Sequence, residues 1–147
     1  MKKRVFTVFT ALLCLLALAG CKTVVEDGFD IEDVAKAQKI VVADASGTEK
    51  AVLDTEADID AFVDAINIDE WKLAELPEGL EKQGSFALWQ NETVKAFIGK
   101  GETRSLEVCT FIIYDQDYLT IDTGVMDIVF TFKLSESAAA YLRELAA

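Results

Sequence analysis

Asp127–Leu145 reads DIVFTFKLSESAAAYLREL, and its hydrophobic period changes once, at Ser135. Before Ser135, Ile128, Phe130, Phe132 and Leu134 fall on one side of an extended chain, with Val129, Thr131 and Lys133 on the other. Alternation of that kind predicts a strand over 127–134 with one buried face. After it, Ala138, Tyr141, Leu142 and Leu145 recur at i, i+3, i+4 and i+7, which predicts a helix over 135–146 with Ser135 as its cap. A half-buried strand running straight into an amphipathic helix implies that the helix folds back over the strand's apolar side.

Upstream, Ser85–Gln90, Val94–Ile98, Ser105–Tyr114 and Tyr118–Asp122 read as further strands. Asn91-Glu92, Gly99-Lys100-Gly101, Asp115-Gln116-Asp117 and Thr123-Gly124 supply turns between them. Short turns between successive strands predict an antiparallel meander. Asn67–Gly84 has no clear period and reads as a short strand over Trp71–Ala74, then a loop with Pro77 and Gly79. Before it, Ile59, Phe62, Val63 and Ile66 mark a helix over about 54–67 capped by Asp54 or Thr55. Lys39–Ala43 and Glu49–Leu53, around Ala45-Ser46-Gly47, form a β-hairpin. The fold class is therefore α+β: a single, largely antiparallel sheet with two amphipathic helices packed on one face, in one globular domain over 39–147.

The outward side of the first helix carries Glu56, Asp60 and Asp64 four residues apart. Like charges at that spacing cost a few tenths of a kcal/mol, roughly, per pair. The dipole offsets least at Asp60 and Asp64, so the three form either a solvated acidic face or a candidate acidic binding face.

The chain starts differently. Lys2, Lys3 and Arg4 precede a run from Val5 to Ala19 that is apolar apart from Thr7 and Thr10. A basic head and an apolar stretch too short to span a bilayer read as a signal peptide over 1–20. Residues 21–38 are rich in Asp and Glu and read as a solvated tether, with a short helix over 30–38 as the other reading. Without residues 1–20 the chain keeps 11 basic and 26 acidic residues, a formal charge of −15. That sign disfavours nucleic acid and anionic head groups and favours cationic partners.

Several chemistries are excluded or weakened. Histidine is absent, which removes Ser-His and Cys-His nucleophilic pairs and the usual histidine metal sites. Cys109 shares its strand face with Phe111 and Ile113 and reads as a small core residue. Asp115-Gln116-Asp117 begins like a calcium loop, but Leu119, Thr120 and Met126 stand where a ligand, the glycine and the closing glutamate belong. Trp71, Trp89, Tyr114 and Tyr118 serve either as packing residues or as an aromatic recognition patch. No residue set marks a cofactor or a metal, and the sequence predicts a non-enzymatic module.

Leu18-Ala19-Gly20-Cys21, directly after the apolar run, resembles the lipobox of exported bacterial lipoproteins. The resemblance implies cleavage after Gly20, diacylglycerol and often a further acyl chain such as palmitate on Cys21, and attachment to the outer face of the cell membrane or to the outer membrane. Two chains meet the requirement for stable anchoring that one does not. The order of elements over 39–145 is similar to that of small, uncharacterised bacterial surface lipoproteins, from which no functional residue transfers. The expected function is a membrane-anchored envelope lipoprotein that binds a protein or envelope component through its sheet or acidic face. The alternative is an acidic inhibitor of a cationic envelope-attacking enzyme such as lysozyme.

Overall fold

The computed structural model describes residues 31–94 and 102–147. Seven antiparallel strands form one sheet: β1 (Lys39–Asp44), β2 (Glu49–Leu53), β3 (Lys72–Leu73), β4 (Lys82–Val94), β5 (Glu102–Tyr114), β6 (Tyr118–Asp122) and β7 (Val129–Lys133). Their order across the sheet is β2-β1-β4-β5-β6-β7-β3. Helices α1 (Glu56–Ile66) and α2 (Glu136–Leu145) complete an α+β fold.

Each helix has the start its sequence specifies. The Thr55 hydroxyl accepts the Asp58 N–H at 3.1 Å and donates to the Asp58 carboxylate at 2.7 Å, a reciprocal cap on α1. At the other end, Asn67 adopts the left-handed conformation (φ 43°) that Asn tolerates better than most residues. The Ser135 hydroxyl accepts the Ala138 N–H at 3.3 Å and caps α2.

Both helices lie on the same face of the sheet. Ile59, Phe62 and Ile66 of α1, and Ala138, Ala139 and Leu142 of α2, are buried with Ile40, Val42, Phe86, Leu88, Cys109, Phe111, Ile113, Leu119 and Ile121 from the strands. The Phe62 ring lies 5.6 Å from that of Phe86 and 6.2 Å from that of Tyr141, joining sheet, α1 and α2 at one point. Burial, and secondarily the Asp58 charge, raises the Tyr141 phenol above its ordinary pKa. Gly84 lets the end of α2 close on β4. A Cβ there would collide with the Ala146 side chain and stand 2.9 Å from the Ala43 carbonyl.

The β1–β2 turn is held by one carboxylate. Asp44 accepts from the Ser46 hydroxyl at 2.6 Å, the Ser46 N–H at 2.9 Å and the Thr48 N–H at 3.0 Å. These bonds, the Ser46 hydroxyl first and Thr48 next, hold Asp44 below the usual carboxylate range, with a smaller contribution from Lys50.

Three sequence expectations require correction. Asn91-Glu92 is not a turn: β4 runs on through it, pairing Asn91 with Ser105 and Glu92 with Arg104. Of the strand expected over Val94–Ile98, Val94 stands opposite Glu102 at the described end of β4, and the other residues, like Gly99-Lys100-Gly101, lie outside the described residues. Asn91–Val94 pair with Glu102–Ser105, and among the described residues no other strand pairs with either segment. The Trp71–Ala74 strand shrinks to Lys72–Leu73, paired with β7 at the sheet's far edge. The segment read as tether is partly folded: Ile31–Lys36 form a 3₁₀ helix, and Val34 and Ala37 join the core.

Candidate binding surfaces

The residues singled out from the sequence fall in different places. Leu18, Ala19, Gly20 and Cys21 lie outside the described residues. Glu56, Asp60 and Asp64 are all exposed on α1, on the side away from Ile59, Phe62 and Ile66. Repetition every four residues places them on one stripe, since the core claims the positions between. Asp64 also lines a cleft of about 290 Å³ with Glu32, Asp69 and Asn67 at its polar side and Ala35, Val63 and Ile68 as apolar wall. Three chain segments meet there: the 3₁₀ helix, the end of α1 and the short helical turn Ile68–Glu70. The last turn of α1 carries no basic residue, so its carbonyl end adds to the negative field of Asp64. Among the described residues no three of His, Cys, Asp and Glu are grouped closely enough to hold a metal ion.

The four aromatic residues do not form a patch. Trp71 sits on the helix side, its ring 5.7 Å from Phe111 and 5.5 Å from Phe132, with its indole N–H donated to the Ile66 carbonyl at 2.8 Å. Trp89 faces the other side, paired with Lys39 across β1 and β4, and the Lys39 ammonium lies 5.0 Å from its ring centroid. Its indole N–H is buried with no hydrogen-bond partner among the described residues. Tyr114 and Tyr118 flank the β5–β6 turn, where the Tyr114 hydroxyl meets that of Thr120 at 3.3 Å. Asp115-Gln116-Asp117 is that hairpin turn, and Asp117 pairs with Arg143 of α2 at 3.3 Å. Cys109 is 2% exposed, inside the core.

Sequence reasoning passed over a second cluster. Lys72 and Lys133 stand directly opposite each other on β3 and β7. They line a cleft of about 560 Å³ with Asp69, Glu70, Trp71 and Ser135. Neither lysine has an ion pair among the described residues, although carboxylates outnumber basic groups throughout. Beside them, Leu73 is 75% exposed, and in the β6–β7 turn Met126 is 87% exposed. The available signal was an apolar pair, Val125-Met126, placed in a turn.

Among the described residues no helix is long and apolar enough to cross a membrane. Comparison with protein-family models, with curated proteins and with solved structures found no match to this chain.

Proposed function

We propose that this chain is an envelope lipoprotein, exported by residues 1–20, held to the membrane through lipid on Cys21, and acting by binding a protein or envelope component without catalysing a reaction. The observation that carries the reading is Leu18-Ala19-Gly20-Cys21 standing directly after a basic head and an apolar run too short to span a bilayer. Folded structure begins by Ile31, close enough to Cys21 that lipid there would keep the domain beside the bilayer. A charge of −15 opposes electrostatic adhesion to an anionic surface, and a lipid anchor would offset that repulsion. A Cys21→Ala chain should lose the mass of the acyl groups and leave the membrane fraction. Unchanged mass and fractionation would refute the reading.

A second reading is favoured by the stripe of Glu56, Asp60 and Asp64, exposed on α1 and continued by Glu32 and Asp69 at the cleft. Such a surface suits a basic protein, and an inhibitor of a cationic envelope-attacking enzyme would use it. Inhibition of lysozyme at low ionic strength, weakened steeply by salt and by Asp60→Lys with Asp64→Lys, is the expected result. Full lysozyme activity at low salt would sink it.

A further inference from the structure

The apolar surface that the core does not use is concentrated at one edge of the sheet. Of the eight large hydrophobic residues exposed among the described residues, six are Leu73, Leu76, Val125, Met126, Ile128 and Val129. Leu73 pairs with Phe132, and Ala74 donates its N–H to the Thr131 carbonyl at 3.0 Å, so β3 and the residues after it run along the outer side of β7. Val125–Val129 enter β7 from its other end. The six residues therefore line the β7–β3 edge from end to end.

One further feature of this edge is unfavourable within the fold taken alone. Met126 and Asp127 are consecutive residues in the left-handed region (φ 51° and 56°), a conformation that side chains resist. It holds Met126 out in solvent. Lys72 and Lys133 stand directly opposite each other on β3 and β7, the Lys133 ammonium 5.9 Å from the Tyr118 ring centroid and Asp69 and Glu70 in the same cleft. An apolar strip with lysines at its end is the pattern of a surface lying in a membrane interface, with methylene stems beside acyl chains and ammonium groups at phosphate level.

We propose that the β7–β3 edge lies against a phospholipid bilayer, Val125, Met126 and Leu73 entering the interface and Lys72 and Lys133 meeting phosphate. This inference rests on the lipid-anchor reading, and chain length agrees with it. Cys21 and Ile31 are 10 positions apart, a length that spans at most about 35 Å when extended. The 3₁₀ helix that Ile31 begins shares a cleft with Asp69, three residues before Lys72 of β3, so the tether leaves the fold near this edge. Lipid on Cys21 can therefore share a bilayer with the far edge. With that edge down, the strands run parallel to the membrane, so the long β4–β5 hairpin does not hold the domain away from it. Asp127 in the turn limits entry to the interface.

The test uses the full chain isolated from membranes and placed in phosphatidylcholine vesicles with brominated acyl chains. Met126→Trp reports at the edge, and Glu49→Trp reports at the opposite edge on β2, each read against the parent chain. Co-sedimentation with vesicles is checked first and reads the anchor alone. The expected result is quenching at position 126 at least about threefold that at position 49, with Val125→Trp behaving like Met126→Trp. Equal quenching at both edges of a co-sedimenting chain overturns the inference and leaves the anchor standing. Failure to co-sediment overturns both. Concentration-dependent self-association abolished by Leu73→Ser with Met126→Ser, without quenching, assigns the edge to a second copy of the chain and also overturns it.

Discussion

The helix-covered face and the β7–β3 edge are built from similar residue types under opposite rules. On the covered face every large side chain has a partner: Phe62 touches Phe86 and Tyr141, and Trp71 sits between Phe111 and Phe132. At the edge, Leu73 and Met126 are 75% and 87% exposed, and the lysines beside them have no ion pair among the described residues. Residues of the first kind specify the fold. Those of the second contribute little to it and need another explanation. Substitutions that separate stability from surface behaviour can break this contrast.

The largest effect belongs to the covered face. Phe62→Ala removes a fully buried ring shared by three elements and should cost about 3–5 kcal/mol, read by urea denaturation. Gly84→Ala forces a methyl group against Ala146 and the Ala43 carbonyl and should cost about 1–3 kcal/mol. Thr55→Ala deletes the α1 cap for about 1 kcal/mol. Smallest of all, Met126→Ser should change stability by no more than about 0.5 kcal/mol, since its side chain is in solvent. A loss at Met126 as large as that at Phe62 would erase the distinction between the two regions.

Acid provides a finer probe. Asp44 titrates below its unfolded value, so its contribution is present above about pH 4 and is lost as pH falls through the depressed folded value. The stability gap between the parent and Asp44→Asn should close below about pH 4. A gap that widens with acid would contradict the hydrogen-bonded turn. The Tyr141 phenol behaves oppositely: its pKa is raised on folding, so stability falls as pH rises through it.

The covered face was legible in the sequence because burial imposes period. Ile59, Phe62 and Ile66 announced α1, Leu142 and its neighbours announced α2, and Thr55 and Ser135 marked where each begins. What could not be read locally was set by partners distant in the chain. Lys72–Leu73 becomes the far edge strand only because β7, about 60 residues later, offers a free side. Asn91-Glu92 looks like a turn because its pairing partners, Ser105 and Arg104, add no buried face to reveal a strand. The acidic stripe was legible from its spacing. Its continuation through Glu32 and Asp69 was not, since it depends on three segments meeting. The proposal at Cys21 rests on four adjacent residues outside the described structure, whereas the β7–β3 edge needed the assembled sheet.

Both the proposed anchor and the proposed bilayer-facing edge depend on what Cys21 carries. Intact mass measurement of the chain extracted from native membranes tests this most directly. A polypeptide beginning at Cys21 and bearing a diacylglycerol thioether is the predicted result. A membrane-extracted chain that retains residues 1–20, or begins at Cys21 without lipid, would contradict it.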